Sequence, residues 1–392
     1  MIGMTRHDSF AKRLARMPIH ILHVHSTFAL GGKEARAVRL MNVFGDAARH
    51  TIVSSMPDQL GAREAIAAGI KYEIAQDPPP LTGKPSVRRY DAIARFMSRF
   101  DLVLTYNWGA IDAVMAGRVF PKRVPPIVHH EDGFNEDEAI ALKPQRNMYR
   151  RVALGAAKAL VVPSETLEQI ALETWKQPRE KVLRIANGVD VDSYAKPPKP
   201  NAIPGFRRNK GEVVIGTLAG LREVKNLPML VRAVAGVPVK TRLVIVGEGP
   251  ERARIEATAQ AMDMADKLHL PGFLPQPWRY LGLFDIFALS SKSEQFPISV
   301  VEAMAAGLPV SSPHVGDVSR MLSMANYPYV APEVDEVLLR DSITYFARDA
   351  DKRKEVGEAN QRRAKADYDE KAMIKRYAAL YGETLGRRDI FD

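Results

Sequence analysis

The chain has 392 residues, a formal net charge of +10 at pH 7, a pI of about 9.6 and no cysteine. That length is too great for one ordinary hydrophobic core and implies two domains of roughly 150–200 residues each. The missing cysteines exclude disulfides and thiolate chemistry and fit a reducing compartment, and no run of about 18 apolar residues exists to cross a membrane as a helix.

The first 17 residues are polar and basic and lack the apolar core of a signal peptide, so a cytoplasmic location is expected. From Ile19 onward, short apolar runs alternate with helix-like runs, the signature of parallel sheets covered on both faces. The first strand is Ile19–His25. Gly31-Gly32 follows, then an amphipathic helix over about Lys33–Val43. Paired glycines between a strand and a helix let backbone approach a phosphate at the positive end of the helix dipole.

Further strands are predicted at Thr51–Ser54, Leu102–Thr105, Ile127–His130, Ala159–Val162 and Val182–Ile185. Ser164 reads as the N-cap of a helix over Glu165–Thr174. His129-His130-Glu131-Asp132-Gly133 closes the Ile127–His130 strand and gathers two histidines and two acids at one strand end. The acids just beyond, Glu136, Asp137 and Glu138, read as a solvated loop or helix start. Asn187-Gly188-Val189-Asp190 reads as a hinge turn. The proline-dense stretch from Asp192 to Gly205 reads as a linker between domains spanning 1–198 and 199–370, followed by a C-terminal helix over 371–392.

After the linker the alternation restarts. Strands are predicted at Val213–Leu218, Arg242–Val246, Lys267–Leu270, Asp285–Leu289 and Val310–Ser312, with helices near Leu227–Val234 and Glu251–Met262 and a charged helical tail from about Ala350 to Gly386. Gly247 and Gly249 follow the second of these strands and permit close backbone approach. Ligands of such sheets sit at the carboxyl ends of the strands.

Glu294 and Glu302 are the most informative pair. Glu294 stands just after an apolar strand, and Glu302 lies about two turns into a helix that begins near Pro297. A carboxylate at the strand exit can accept hydrogen bonds from sugar hydroxyls, the uncapped N–H groups beside it suit a diphosphate, and the second carboxylate can reach another diol. That helix is otherwise small and apolar (Ala303, Met304, Ala305, Ala306), so Glu302 is expected to be buried and to need a partner.

The stretch from Glu294 through Phe296-Pro297 to Glu302-Ala303-Met304-Ala305 and Gly307-Leu308-Pro309-Val310 resembles the Glu-x7-Glu signature of retaining glycosyltransferases of family 4. The resemblance spans about Pro18 to Tyr381 and is strongest between Val213 and Val315. It implies a GT-B fold, two Rossmann-like α/β domains with parallel sheets facing across a cleft. It also implies transfer of a sugar from a nucleotide-diphosphate donor to a saccharide or lipid-linked acceptor, with retention of configuration.

On this resemblance Glu294 holds the sugar, and Glu302, Gly31, Gly32, Gly247, Phe296, Pro297 and Ile298 contact the donor. Lys225 stabilises the leaving diphosphate. The family's Gly-Arg-Leu-x-x-x-Lys becomes Ala219-Gly220-Leu221-Arg222-Glu223-Val224-Lys225, so the family arginine is absent at Gly220, and Arg222 is the nearest replacement. Either His129 or His130 matches the histidine that contacts sugar or acceptor, with His130 nominated as catalytic and His129 and Asp132 as acceptor-binding.

No cofactor and no metal are expected: Asp190-Val191-Asp192 mimics a metal-binding Asp-x-Asp but has no third ligand. No nucleic-acid module is visible. An anionic membrane surface is an expected partner, carried by Lys12–Arg16, Arg88–Arg99 and Arg146–Arg151. Two alternatives stay open: a sugar-nucleotide epimerase of the same fold, using His130 and Asp132, and a catalytically silent sugar-nucleotide-binding subunit.

Overall fold

The structure is a computed structural model and describes residues 18–134, 136–138 and 141–391. The basic stretch Lys12–Arg16 lies outside the described residues. Contacts divide the chain into two units: the described residues up to Ile185 together with those from Ile374 onward, and Ala186–Met373.

The first unit is built on a seven-stranded parallel sheet of order β3-β2-β1-β4-β5-β6-β7. Its strands are β1 (Ile19–His25), β2 (Ala48–Ser54), β3 (Tyr72–Ile74), β4 (Leu102–Tyr106), β5 (Ile127–His130), β6 (Ala159–Val162) and β7 (Val182–Arg184). The connecting helices are α1 (Gly32–Phe44), α2 (Val87–Met97), α3 (Ile111–Val119), α4 (Pro144–Ala153) and α5 (Glu165–Gln169). Parallel strands need such crossovers, and helices on both faces explain why β4, β5 and β6 are buried at every position. The Ser164 cap forms, its hydroxyl accepting from Leu167 N–H at 3.1 Å, but the helix it opens passes into a π-turn over Ile170–Thr174.

The second unit carries a five-stranded parallel sheet of order β10-β9-β8-β11-β12. Its strands are β8 (Val213–Leu218), β9 (Thr241–Val246), β10 (Leu268–Gly272), β11 (Ile286–Ala288) and β12 (Val310–Ser311). Its helices are α6 (Val191–Tyr194), α7 (Leu227–Ala235), α8 (Arg252–Ala261), α9 (Ile298–Ala305), α10 (Val318–Met321), α11 (Glu336–Arg348) and α12 (Ala350–Asp367). The predicted charged tail is two helices, α12 and α13 (Glu370–Thr384), because Tyr368-Asp369 interrupts the run.

The proline-dense stretch packs on the second unit. Val189, Val191, Tyr194 and Ile203 join the core that contains Phe287 and Val300, and Lys199 N–H bonds the Arg279 carbonyl at 2.8 Å. The division therefore falls between Ile185 and Ala186, ahead of the prolines, because apolar side chains outweigh local backbone stiffness in deciding where the segment docks.

In each sheet the strand order reverses direction beside the first strand, at β1/β4 and at β8/β11. Loops leaving adjacent strands at such a point diverge to opposite faces and open a crevice at the carboxyl end.

Candidate active site

In the second unit that reversal sets two loops side by side. After β8 the chain makes a 3-10 turn over Glu223–Lys225, and Asn226 takes the left-handed conformation (φ 51°) before α7. After β11 it runs through Ser290-Ser291-Lys292 to Glu294. Two hydrogen bonds to backbone carbonyls join the loops: Lys292 N–H donates to the Val224 carbonyl at 2.8 Å, and the Ser290 hydroxyl donates to the Lys225 carbonyl at 2.8 Å. On that base Lys225 Nζ reaches Glu294 Oε1 at 2.5 Å, and the Ser291 hydroxyl donates to the same oxygen at 2.6 Å. The two charged side chains keep 17% and 10% of their surface accessible, so the pair borders solvent.

Behind Glu294 the backbone is braced. Gly316 (φ 52°) would place a Cβ 2.2 Å from the Glu294 carbonyl, and Asp317 N–H bonds the Gln295 carbonyl at 3.2 Å. Phe296 packs edge-on against Tyr368 with ring centres 5.7 Å apart. Pro297 leads into α9, whose first turn has neither a side-chain cap nor an acid. The N–H groups beside Ile298 thus have no side-chain acceptor.

Glu302 lies on α9 among the buried Val300, Val301, Ala303, Met304 and Ala305. Its partner is a phenol: Tyr194 OH donates to Glu302 Oε1 at 2.7 Å. Burial pushes the Glu302 carboxyl up to about 7, the Tyr194 hydrogen bond opposing it. Burial and the neighbouring Glu302 charge hold the Tyr194 hydroxyl well above its ordinary range.

Arg222 is exposed. Its Nε lies 3.5 Å from where a Cβ at Gly220 would sit, so its side chain runs past the space that an arginine at 220 would enter. Gly247 serves the site from below. At φ 149° its Cβ would stand 1.9 Å from the Ala219 carbonyl, and Leu221 N–H bonds the Glu248 carbonyl at 2.8 Å. This glycine is required by the close approach of the loops after β8 and β9, whatever else contacts it.

The remaining predicted residues lie in the first unit, at the carboxyl ends of β1 and β5. Gly31 is the extended N-cap of α1 and Gly32 its first residue. Lys33 pairs with Glu34, and burial brings its ammonium down to about 8 against the opposing pull of Asp132. Asp132 is clamped by both terminal nitrogens of Arg36, one of them at 2.8 Å, and Arg36 lies over the Tyr377 ring at 5.5 Å. Burial alone would raise the Asp132 carboxyl, but the Arg36 charge and hydrogen bonds outweigh it and hold the group below its ordinary value.

His129 and His130 are both enclosed, at 0% and 1% exposure. His129 shares a hydrogen bond with Thr105 Oγ1 at 2.8 Å. His130 shares one with Tyr381 OH at 2.8 Å and one with the Thr105 carbonyl at 3.2 Å, and its ring stacks on Tyr106. Burial, then Arg36, pushes His130 down to about 3, so it is neutral at physiological pH. Within its unit this ring packs and bonds rather than facing solvent.

One expectation needs correction. Glu138 is not solvated: it is 2% exposed and binds both terminal nitrogens of the fully buried Arg150 at 3.1 Å. Arg150 Nε also lies 3.4 Å from Glu131, and Trp108, Phe134 and Trp175 surround its guanidinium. In the Arg146–Arg151 stretch Arg150 is internal and Arg146 pairs with Asp137 and Glu138, while Arg151 is exposed. In the Arg88–Arg99 stretch Arg89 sits on Asp112 at 2.6 Å, while Arg88, Arg95 and Arg99 are exposed, with Arg95 beside Asp91 at 2.6 Å and Arg99 over Phe96.

Sequence reasoning missed a histidine cluster. His23 bonds His50 at 2.9 Å and Tyr106 OH at 3.2 Å, and His25 stacks on Tyr106 at 4.1 Å. The period-2 spacing of His23 and His25 on β1 places them on one face, and that was the available signal.

The profile described as "Glycosyl transferases group 1" matches residues 199–363, and "Glycosyltransferase Family 4" matches residues 30–193. The chain is 21% identical over 244 residues to an N-acetyl-alpha-D-glucosaminyl L-malate synthase of Bacillus anthracis, covering 62% of this chain and 64% of that one. It is 27% identical over 231 residues to an Escherichia coli UDP-Gal:alpha-D-GlcNAc-diphosphoundecaprenol alpha-1,3-galactosyltransferase, covering 54% and 57%. Such matches span about half to two-thirds of the curated relatives' length, from 46% to 64% in the first three. The crystal structure of Anabaena HepE in complex with UDP overlays with a TM-score of 0.71 at 19% identity, covering 93% of this chain and 100% of that one. Two α/β units with parallel sheets, matched at this level, define the GT-B fold. The chain belongs to the group 1 glycosyltransferases, the family that its Glu294–Glu302 stretch resembles.

Proposed function

We propose that this protein is a retaining glycosyltransferase that moves a sugar from a nucleotide-diphosphate donor to a saccharide or lipid-linked acceptor, in bacterial envelope or exopolysaccharide synthesis. The observation that carries the reading is the meeting of Lys225 and Glu294 at the strand-order reversal of the second sheet, with Glu302 following on α9.

Donor binding sets the roles. The diphosphate takes the place of Glu294 as the partner of Lys225 and lies at the N-terminus of α9, near Phe296, Pro297 and Ile298. Arg222 supplies the second cation from the neighbouring loop. Freed from Lys225, Glu294 accepts hydrogen bonds from the sugar, and Glu302 takes the ribose. As the glycosidic bond breaks, negative charge grows on the diphosphate, where preorganised cations are most effective. The acceptor hydroxyl attacks from the face the diphosphate leaves and gives that diphosphate its proton, so configuration is retained and no side-chain nucleophile is needed. No metal or cofactor is assigned a step. Gly31, Gly32 and Asp132 are placed with the acceptor and donor side of the first unit. Uridine appears in the names of the galactosyltransferase relative and the HepE complex, which makes UDP-sugars the first donors to test.

The epimerase reading is less well supported, because it needs His130 and Asp132 to exchange protons near neutrality. Arg36 keeps Asp132 ionised, and His130 is enclosed and neutral. The silent-subunit reading rested on Gly220, and Arg222, with its Nε 3.5 Å from the Cβ position there, supports the catalytic reading instead. A peripheral site on the cytoplasmic membrane face remains part of the proposal, resting on the net charge of +10.

The test incubates UDP-, GDP- and ADP-sugars with lipid-diphosphate and oligosaccharide acceptors and follows free nucleoside diphosphate, with NMR of the product's anomeric proton. Acceptor-dependent release, an α-product from an α-donor and loss of both in Glu294→Ala support the reading. Wild-type transfer by Glu294→Ala, or no binding of any of the three nucleotides, overturns it.

A further inference from the structure

Tyr194 closes the four-residue helix α6, which Asp190 caps by accepting from Ser193 N–H at 3.3 Å and from the Ser193 hydroxyl at 2.6 Å. The same turn is tied to the start of α13: Val189 bridges Asp369 just before it, and Asp192 pairs with Lys371 in its first turn at 2.7 Å. The Tyr194 ring is 8% exposed and sits in the core of the second unit. Packing alone asks only for a ring there. The hydroxyl has one use among the described residues, the 2.7 Å bond to Glu302 Oε1.

That bond divides the two carboxylate oxygens. Oε1 is occupied by a side chain whose backbone is pinned on three sides. Oε2 makes no hydrogen bond among the described residues, and Glu302 as a whole is only partly buried. Tyr280, the other phenol near this carboxylate, spends its hydroxyl on the Leu274 carbonyl at 3.1 Å. Among the described residues nothing else fixes the rotation of the Glu302 carboxylate. A carboxylate free to rotate accepts from one hydroxyl or from two with little preference, whereas one with a single aimed oxygen discriminates by geometry.

We propose that Tyr194 is a positioning residue that occupies Glu302 Oε1 and aims Oε2 at the ribose diol of the donor, so that the Tyr194–Glu302 pair selects ribonucleoside over deoxyribonucleoside diphosphates. The inference rests on the reading that Glu302 meets the ribose. It adds which oxygen does so and which residue sets it.

Calorimetry on the full chain tests both parts separately. Whichever of UDP, GDP and ADP binds is compared with its 2′-deoxy and 3′-deoxy analogues, in the wild type, Tyr194→Phe and Glu302→Ala. The wild type is expected to prefer the ribonucleotide over at least one analogue by about tenfold, roughly the discrimination expected when a buried polar group loses its partner. Tyr194→Phe is expected to reduce that ratio at least threefold, with a modest fall in melting temperature from the lost hydrogen bond and an affinity for the deoxy analogue that stays near the wild type, a combination that loss of packing does not produce. If it fails to fold, Tyr194→Met removes the hydroxyl while keeping apolar volume. A wild-type ratio in the folded hydroxyl-deletion variant, with the ratio lost in Glu302→Ala, overturns the role of Tyr194 and leaves Glu302 in place. An unchanged ratio in Glu302→Ala, or no binding by any of the three nucleotides, overturns the ribose reading itself.

Discussion

Lys225 and Glu294 are 69 residues apart in sequence and 2.5 Å apart in space. The contact exists because β8 and β11 are neighbours and their loops share two backbone-anchored hydrogen bonds. A pair bordering solvent contributes only about 0.5–1 kcal/mol to stability. Glu294→Ala and Lys225→Ala are therefore expected to lower transfer by ~10²–10⁴-fold, the range for a lost electrostatic or positioning group, while shifting the melting temperature little. The double variant is expected to fall short of the product of the single losses, because the two residues act on one reacting centre. Steady-state rates beside thermal unfolding curves make the comparison.

Arg222 and Gly220 form a second pair. Arg222→Ala is expected to weaken nucleoside diphosphate binding about tenfold, or ~1.4 kcal/mol. Gly220→Arg in that background is expected to restore most of the loss, since Gly220 has no left-handed φ and its Cβ would meet only the Arg222 side chain at 3.5 Å and the Glu248 carbonyl at 4.0 Å. Titration of the two variants and the wild type decides it. Unaltered binding in Arg222→Ala would remove this residue from the phosphate site.

Gly247→Ala is expected to destabilise the second unit by about 2–4 kcal/mol, combining a left-handed backbone with a backbone clash. The added Cβ would lie 1.9 Å from the Ala219 carbonyl at φ 149°. Gly220→Ala, one loop away, is expected to stay within about 0.5 kcal/mol of the wild type. Urea unfolding of both variants separates a glycine required by backbone contact from one that is not.

The buried histidines set the acid limit of the first unit. Burial is the largest cause holding His23 and His25 well below 6.5, His50 at about 4 and His130 at about 3. Each is neutral when folded, so the unfolded chain binds more protons once pH falls below about 6.5. Stability is full above that pH and is lost as pH falls from 6.5 toward 4, by up to ~1.4 kcal/mol per pH unit for each histidine. Urea midpoints measured from pH 7.5 to 4.5 should fall on the acid side, and a His50→Gln variant should show a shallower slope.

The strands were legible from composition alone. Val213–Leu218, Ile127–His130 and Ala159–Val162 are observed at the predicted limits, because strands covered on both faces carry near-continuous apolar runs. The Ser164 cap was legible for the same local reason. The short edge strand Tyr72–Ile74, exposed at two of its three positions, left no such trace.

Glu302 was recognisable in the sequence because a carboxylate in a small apolar helix needs a partner wherever it occurs, Glu294 from its place after an apolar strand, and Lys225 from the family pattern it matches. Which partner was not. The bonds of Glu302 to Tyr194, of Asp132 to Arg36 and of Glu138 to Arg150 join residues 108, 96 and 12 positions apart. Local periodicity records only which face a side chain takes. Strand order and loop packing decide what it meets there, and with it whether a charge is paired, buried or left to bind.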